Sequence, residues 1–269
     1  IVGDLFDRGP RPDRILDSLM DHHQVDIQWG NHDVVWMGAA SGSPLCILTV
    51  LKTTLAYNNM DTLEGGYGIS LRHLERFAEK TYGHSDVTRW LPHTDARNAT
   101  AGDLTATARM HKAVTVLMLK LESQVIARNP DFHMQARDWL HRIDWQAGTV
   151  RCGDGVYPLL DRDFPTVSPD DPAALTPAEQ RVVDGLVREV KTRHIARLQA
   201  GTCTIEYGFV LDDLLTTYER IADHCSNIAV AMIEVADDKF DTHEYLNHLK
   251  NGGSVKFEQR YEKYRDRYT

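Results

Sequence analysis

The sequence predicts an α/β protein in which a short β–α–β core is followed by a large, mostly helical insertion. Two predicted strand segments, the apolar Ile1-Val2 and the alternating residues 25–29, flank a stretch with helical periodicity. A polar cluster rich in Gly, Asp and Asn follows each of these segments directly. Beyond residue 42, apolar residues recur at helical spacing over most of the chain up to about residue 143.

Shifts in sequence pattern divide the chain into four predicted segments. Residues 1–42 form a partial core with the two polar motifs, and residues 43–147 form the helical insertion. Residues 148–199 hold a short strand-and-loop region followed by a capped helix. Residues 200–269 form a divergent helical C-terminal segment.

Within the core, the order of the elements predicts where the two polar motifs lie. Asp13 is the expected N-cap of a helix that runs to residue 20. Residues 25–29 alternate apolar and polar side chains with the period of a strand. Residues 30–33 interrupt that strand, and a second helix is expected over residues 34–40. Because parallel strands joined by a helix bind ligands at their carboxyl ends, both motifs are predicted to meet at one sheet edge.

Beyond the core, helix signals dominate the sequence. Thr176 and Glu179 form a capping box with Pro177 at the first helical position, which predicts a helix through Val190. The other predicted elements are helices around residues 45–55, 71–77, 113–121 and 211–235, a polar loop over 82–103, a short strand or hairpin at 149–150 and 156–157, and a charged tail over 256–269.

The composition excludes several classes of protein. The 269 residues contain 30 Lys and Arg against 39 Asp and Glu, a formal net charge of −9 without a basic block. This balance argues against binding nucleic acid or an anionic membrane through bulk charge. No apolar stretch approaches the ~20 residues of a membrane span. The four widely spaced cysteines predict reduced, mostly buried thiols in a cytoplasmic protein.

Two short motifs carry the chemistry, Gly-Asp-Leu-Phe-Asp-Arg-Gly at residues 3–9 and Gly-Asn-His-Asp at residues 30–33. Either motif alone could be a simple turn, but two such motifs at matching strand ends favour a functional site. Asp4 can bridge two divalent ions, and Asn31 offers an amide oxygen to one of them. Mixed oxygen and nitrogen ligands suit Mn²⁺, Fe²⁺ or Zn²⁺. Two such ions about 3.5–4 Å apart can activate a bridging water for attack on a phosphoryl group.

Other side chains of this region fit phosphoryl transfer. Arg8 has the planar fork that matches two phosphate oxygens. His32 could protonate a leaving alkoxide, and Asp7 could hold this imidazole in the correct tautomer. Arg11 and Arg14 lie close to Arg8 in sequence and could help to attract a doubly phosphorylated substrate.

These motifs carry a family resemblance. Gly-Asp-x-x-Asp-Arg-Gly followed by Gly-Asn-His-Asp resembles the calcineurin-like metallophosphoesterases. The runs from Val2 to Asp13 and over residues 23–33 more closely resemble the class 3 fructose-1,6-bisphosphatases of bacteria, and the similarity extends over roughly residues 1–195. It continues in Trp-Met-Gly-Ala at 36–39, Tyr-Gly-Ile at 67–69, Lys-Leu-Glu-Ser at 120–123 and Arg-Asn-Pro-Asp-Phe at 128–132.

The resemblance implies a partial metallophosphoesterase core and a role for each motif residue. Asp4 would bridge the metals and Asn31 would bind the second one. His32 would donate the proton, supported by Asp7, and Arg8 would contact the phosphate. The implied reaction is hydrolysis of the 1-phosphate of fructose 1,6-bisphosphate in gluconeogenesis, with Mn²⁺ as the ion. The only partner it implies is this small sugar bisphosphate, and it is compatible with a homo-oligomer.

The chain also departs from the family pattern. The family's Asp-x-His motif would precede Ile1, which reads as the end of a buried strand, so the chain is expected to be a fragment. Two further His ligands should follow the insertion, and residues 83–86 do not supply them. Residues 200–269 do not continue the pattern. This chain alone is therefore not expected to bind two metals tightly or to turn over substrate.

Two other functions stay open at this point. The chain could belong to another branch of the superfamily, such as the protein or nucleotide phosphatases, although residues 25–29 and the long insertion argue against this. It could instead be non-catalytic, with the insertion serving assembly or regulation. A zinc-protease helix is disfavoured, because His243 and His248 are five residues apart and do not share a helix face.

Overall fold

The computed structural model describes residues 1–93 and 101–201, in which helices predominate. The six α-helices of this part are α1 (Pro12–Met20), α2 (Asn31–Ala40), α3 (Pro44–Ala56), α4 (Arg72–Tyr82), α5 (Ala101–Arg128) and α6 (Pro177–Gln199). A π-helical turn spans Thr62–Gly66, and short 3-10 helices span Thr88–Trp90, Pro130–Phe132, Gln135–Arg137 and Leu140–Arg142.

A small antiparallel sheet accompanies these helices. Its strands are β1 (Ile143–Asp144), β2 (Thr149–Cys152) and β3 (Gly155–Pro158), paired in the order β1-β2-β3. The β2–β3 pair confirms the predicted hairpin, with Val150 opposite Tyr157. The sequence did not predict β1, a strand of two residues. Helices and strands therefore occur together, as expected for an α/β protein.

The prediction of a parallel sheet in the core has to be corrected. Residues 25–29 do not form a strand, and the pairing is reduced to one parallel bridge between Val2 and Gln28. The Gln28 N–H donates to the Ile1 carbonyl at 3.0 Å. The parallel direction agrees with the prediction, but two paired segments without a third strand are only marginally stable in water. The described part of the chain provides no further strand beside them.

Both helices of the core begin earlier than predicted. Helix α1 begins at Pro12, whose fixed φ suits the first helical position, and Arg11 rather than Asp13 is its N-cap. Helix α2 begins at Asn31 instead of residue 34. The Asp33 carboxylate accepts the Gly30 N–H at 2.9 Å and so caps the helix.

The main hydrophobic cluster joins helices α2 to α6 around α5. Helix α5 packs against α3 and α4, and Leu55, Leu74 and Leu117 are fully buried at these contacts. The side chains of α2 and α6 complete the cluster. Helices from three of the four predicted segments thus share one core, and the boundaries at residues 42, 147 and 199 stay predictions.

The helix predictions beyond the core are confirmed wherever the structure describes the chain. Helices α3, α4 and α5 contain the apolar repeats of residues 45–55, 71–77 and 113–121. The capping box of α6 is present: the Glu179 N–H donates to Thr176 Oγ1 at 3.3 Å, and the Thr176 N–H donates to Glu179 Oε2 at 2.7 Å. The predicted helix 211–235, the tail 256–269 and the pair His243 and His248 lie outside the described residues.

Two further predictions concern the cysteines and the possibility of a membrane-spanning helix. Cys46 is half-buried against the core, but Cys152 is exposed on β2, contrary to the prediction of mostly buried thiols. Cys152 is the last residue of β2, and both it and the preceding Arg151 are exposed, so this end of the strand is solvated on both faces. In residues 1–93 and 101–201, no helix has the length and apolar character needed to cross a membrane.

Candidate phosphate-binding site

The two polar motifs approach each other so closely that only glycine fits at the contact. Gly3 and Asp4 both have left-handed backbones, with φ values of 58° and 54°. A Cβ atom at Gly3 would lie 2.7 Å from the Gly30 nitrogen. A Cβ atom at Gly30 would lie 2.0 Å from Asp4 Oδ1. Both glycines are therefore required by close backbone approach.

Asp4 lies at the N-terminus of α2. Its Oδ1 atom accepts a hydrogen bond from the His32 N–H at 3.2 Å. The first N–H groups of a helix lack partners within the helix and carry partial positive charge, so a carboxylate is favourable there. Asp4 is exposed, and an ionised carboxylate keeps further lone pairs for another ligand. Asn31 is the first residue of α2, precedes His32 directly in the sequence and is exposed.

The Asp7 carboxylate lies between the His32 imidazole and the Arg8 guanidinium. His32 Nε2 is 3.1 Å from Asp7 Oδ1, and Arg8 Nε is 3.5 Å from the same oxygen. These are ion-pair distances, but this oxygen does not meet hydrogen-bond geometry with any described group. The structure therefore brings Asp4, Asp7, Arg8 and His32 together, as the two-motif prediction requires.

Arg8 projects outward from its motif, with 64% of its side chain exposed. Its Cζ atom lies 5.6 Å from the centre of the Tyr57 ring, within the range of a cation–π contact. The amide Nδ2 of Asn59 donates to the Arg8 carbonyl at 2.8 Å. Both partners follow α3, about 50 residues beyond the motif. No pattern in the sequence had singled out Tyr57 or Asn59.

Arg11 is engaged by two carboxylates. Its Nη2 lies 2.5 Å from Asp13 Oδ2 and its Nη1 lies 2.8 Å from Asp61 Oδ2. Its backbone N–H donates to Thr62 Oγ1 at 3.2 Å. The hydrogen bond from Arg11 holds the pKa of Asp13 below its ordinary value, and it outweighs the opposing effect of burial. The predicted contact of Arg11 with substrate stays a prediction.

Asp33 is a site residue to which the sequence motifs assigned no role. Its carboxylate is buried and accepts two backbone N–H groups, from Phe6 at 3.0 Å and from Gly30 at 2.9 Å. One side chain thereby ties the first motif to the second. An acidic residue in the first turn of a helix is a capping signal and could have predicted the Gly30 contact. The Phe6 contact depends on the tertiary fold, so no local signal indicates it.

The described residues supply only part of the donor set that a metal ion needs. In the ranges that the structure describes, there is no group of three or more His, Cys, Asp or Glu side chains that could hold an ion. Asp4 and Asn31 would supply oxygen ligands of the kind that hard and borderline divalent ions accept. These residues fit part of a metal centre, and further ligands would be needed to complete it.

A carboxylate, an imidazole and a guanidinium gathered beside a helix N-terminus suit a protein that acts on phosphate groups. Comparison with known proteins agrees with this chemistry. The sequence model of the family described as Firmicute fructose-1,6-bisphosphatase matches residues 1–203. The chain belongs to that family, which confirms the resemblance seen in the motifs.

Named relatives support the same membership. The chain is 48% identical, over 189 residues, to a fructose-1,6-bisphosphatase class 3 of Porphyromonas gingivalis, a match that covers 70% of this chain and 29% of the relative. A protein of the same name from Listeria innocua is 44% identical over 192 residues, or 71% of this chain and 29% of the relative. The chain thus spans less than a third of these curated relatives. No solved structure matches it.

Proposed function

We propose that the complete natural protein containing this chain is a metal-dependent fructose-1,6-bisphosphatase, which hydrolyses the 1-phosphate of fructose 1,6-bisphosphate in gluconeogenesis. Family membership over residues 1–203 supports the reaction class. The observation that carries the proposal is the Asp7 carboxylate between His32 Nε2, at 3.1 Å, and Arg8 Nε, at 3.5 Å. This arrangement joins an acid–base group to a phosphate-binding group at one point.

Each motif residue has a separate role in the proposed reaction. Arg8 binds phosphate oxygens through its planar guanidinium fork. His32 gives its proton to the leaving sugar oxygen, because a positioned acid lowers the cost of expelling an alkoxide. Asp7 stabilises the charged imidazole and orients its ring. Arg11, held by Asp13 and Asp61, would add positive charge near a substrate that carries two phosphates.

The metal centre of this proposal belongs to a partial metallophosphoesterase core. Asp4 and Asn31 would hold Mn²⁺ together with ligands from outside the described residues. When bound, the ion polarises the phosphoryl group and lowers the pKa of a coordinated water. Asp4 stays oriented for this task because its Oδ1 accepts the His32 N–H at 3.2 Å.

The proposal also covers the partners, the location and the oligomeric state of the complete protein. Its partner is a small sugar bisphosphate, and neither nucleic acid nor a membrane takes part. The net charge of −9 supports this, since anionic polymers and surfaces repel such a protein. A cytoplasmic location fits a metabolite substrate, and a homo-oligomer is compatible with all of these features.

A substrate panel tests the reaction. The complete natural protein is assayed with Mn²⁺, Mg²⁺ and Zn²⁺ against fructose 1,6-bisphosphate, a phosphopeptide and a nucleoside monophosphate. We expect the highest kcat/KM for the sugar bisphosphate with Mn²⁺. Faster turnover of the phosphopeptide or of the nucleotide would assign the protein to another branch of the superfamily. Absence of turnover of every substrate with every metal would favour the non-catalytic alternative.

The variant His32→Ala tests the proposed general acid. We expect kcat to fall about 10²- to 10⁴-fold, because protonation of the leaving group acts in the transition state. KM should change by less than about threefold, since the proton transfer contributes little to ground-state binding. His73→Ala, which removes an exposed histidine of α4, is the matched control and should leave both constants unchanged. A normal kcat in His32→Ala would exclude this role.

A further inference from the structure

We propose that Tyr57 and Asn59, which directly follow α3, are positioning residues that hold Arg8 ready to bind phosphate. The inference rests on the proposed function, because Arg8 is the residue assigned there to the phosphate. It adds that the turn after α3, which belongs to the predicted helical insertion, contributes to the site formed by the first motif. Neither residue is expected to touch the substrate.

Asn59 holds the backbone of Arg8. Its Nδ2 donates to the Arg8 carbonyl at 2.8 Å and lies 3.4 Å from the Gly9 carbonyl. The Asn59 backbone is itself fixed, because its N–H donates to the Thr54 carbonyl of α3 at 2.9 Å. A rigid helix end therefore fixes the position from which the Arg8 side chain projects.

Tyr57 orients the guanidinium. Arg8 Cζ lies 5.6 Å from the centre of the Tyr57 ring, and the attraction of a cation to a ring face disfavours other rotamers. The ring is held in turn by His93, whose ring centre is 5.7 Å away and whose N–H donates to the Ala56 carbonyl at 2.7 Å. The Arg8 side chain is thus bounded by Tyr57 on one side and by the Asp7 carboxylate on another.

The far end of the same loop is fixed by the same stretch of chain. The Arg11 N–H donates to Thr62 Oγ1, and the Arg11 guanidinium pairs with Asp61. Residues 8–11 are therefore bound at both ends by residues 57–62. An exposed arginine with free rotamers loses that freedom when it binds phosphate, and fixing it beforehand reduces the loss.

A double-mutant cycle on the complete natural protein tests the inference. The probe is inorganic phosphate, whose Kd is measured by calorimetry in the presence of Mn²⁺. Arg8→Ala should raise this Kd about 10- to 100-fold, the range expected for a lost charge-assisted contact. Asn59→Ala and Tyr57→Leu should each raise it about threefold to tenfold, because a misplaced Arg8 binds less well. In the Arg8→Ala background, neither second substitution should have an effect beyond about 1.5-fold.

Conservative and matched variants separate positioning from general stability. Tyr57→Phe keeps the aromatic face and should bind phosphate within about twofold of the natural protein. Tyr157→Leu makes the same change as Tyr57→Leu at an exposed site on β3, and Asn129→Ala removes another amide that caps a backbone carbonyl. Both controls should leave the phosphate Kd unchanged, whatever they do to the melting temperature.

The outcomes are decisive for the inference and distinct from those of the substrate panel. Equal effects of Asn59→Ala with and without Arg8 would overturn it, because the asparagine would then act independently of the arginine. Unchanged phosphate affinity in Arg8→Ala would also overturn it. If the panel assigns a different phosphate substrate, the cycle still measures the coupling, since it uses inorganic phosphate alone.

Discussion

Asp33 illustrates how a single buried carboxylate can fix the geometry of two loops. It accepts hydrogen bonds from the N–H groups of Phe6 and Gly30, so it satisfies one backbone donor in each motif. Phe6 is anchored further by Trp36 of α2, whose ring centre is 4.5 Å from its own. The first motif is therefore attached to α2 through a hydrogen bond and an aromatic contact, and Asp4 is held at the start of that helix.

Gly30→Ala tests the close approach of the two motifs at Gly30. The added methyl group would lie 2.0 Å from Asp4 Oδ1, so Asp4 has to leave its place beside the His32 N–H. We expect kcat/KM of the complete natural protein to fall about 100-fold, because a misplacement of about 1 Å in a catalytic site can cost that much. The measurement is steady-state kinetics together with thermal unfolding.

Gly185→Ala is the matched control for this substitution. Gly185 lies in α6, and apart from its chain neighbours and the adjoining helix backbone no atom of the described residues lies within 4 Å of the place that an added methyl group would take, so alanine should fit without displacement. Activity should be unchanged, and the free energy of unfolding should rise by up to about 1 kcal/mol through helix propensity. Equal activity of Gly30→Ala and Gly185→Ala would contradict the importance of the contact.

Local sequence patterns predicted part of the site but not its contacts with residues distant in the sequence. Strand-end glycines and polar residues predicted that the two motifs meet, and His32 does lie beside Asp7. Tyr57 and Asn59, which contact Arg8, and Asp61, which contacts Arg11, could not be predicted, because about 50 residues of chain separate the partners. Asn and Tyr after a helix carry no pattern that identifies a partner so far away in sequence.

At the scale of the elements, α5 and α6 are joined by a buried ion pair. Lys120 Nζ donates to Glu179 Oε2 at 2.8 Å and to the Thr166 carbonyl at 2.6 Å, and the Lys120 and Glu179 side chains are almost fully buried. The same Glu179 oxygen accepts the Thr176 N–H at the start of α6. The sequence predicted the cap but not the pair, since 59 residues separate the two charges.

Lys120→Met should strongly destabilise the chain. It leaves the Glu179 carboxylate buried without its cation, and the loss of one partner of a buried pair costs about 3–5 kcal/mol. Lys120→Met combined with Glu179→Gln should lose less than the single variant, because a neutral amide can still cap α6. Urea unfolding of the full chain gives these free energies.

Lys80→Met provides the control for removal of a lysine. Lys80 is exposed in the last turn of α4, and the change should stay within about 0.5 kcal/mol of the natural chain. If Lys120→Met were as mild as Lys80→Met, the ion pair would contribute little to the docking of α6.

His111, in α5, makes the stability of the fold depend on pH. Burial lowers the pKa of His111 below its ordinary value of 6.5, although the contact of Nδ1 with the Trp90 carbonyl at 3.0 Å opposes this. Below pH 6.5 the unfolded chain therefore binds a proton at this residue before the folded chain does. Stability should therefore fall as the pH decreases from 6.5 to the pKa that His111 has in the folded chain.

His111→Gln isolates this contribution, because glutamine can still donate to the Trp90 carbonyl but does not titrate. We expect the difference in unfolding free energy between the natural chain and His111→Gln to shift against the natural chain as the pH falls from about 7 to about 5. Denaturant titrations at a series of pH values measure this difference. A difference that does not vary with pH would contradict the burial of a neutral imidazole.

At the scale of the whole molecule, the chain couples a well-packed helical core to a sparse β region. Apolar spacing predicted α3 to α6 because their buried faces repeat every three or four residues over several turns. The parallel sheet could not be read from two short segments, since a strand is stabilised by neighbours that the local pattern does not reveal. Val2, with 87% of its surface exposed, shows how little covers this region in the described part of the chain.

Metal titration tests the partial nature of the site in the full chain. With two proposed oxygen donors and no larger ligand cluster among the described residues, Mn²⁺ should bind with a Kd of about 10⁻⁴ M or weaker, the range of weak protein sites for divalent cations. Asp4→Asn should weaken even this binding, and Asp86→Asn, at an exposed carboxylate outside both motifs, should not. Micromolar binding of two ions would contradict the expectation of a half-complete centre.

The attachment of residues 8–11 to residues 57–62 has a practical meaning for protein design. A grafted copy of the glycine-rich loop and the start of α2 would carry the chemical groups but leave the arginine unsupported. Transplantation into a new scaffold would have to include the turn after α3, which supplies the aromatic face and the amide. The smallest portable unit of the proposed phosphate site is thus three separate pieces of backbone rather than two.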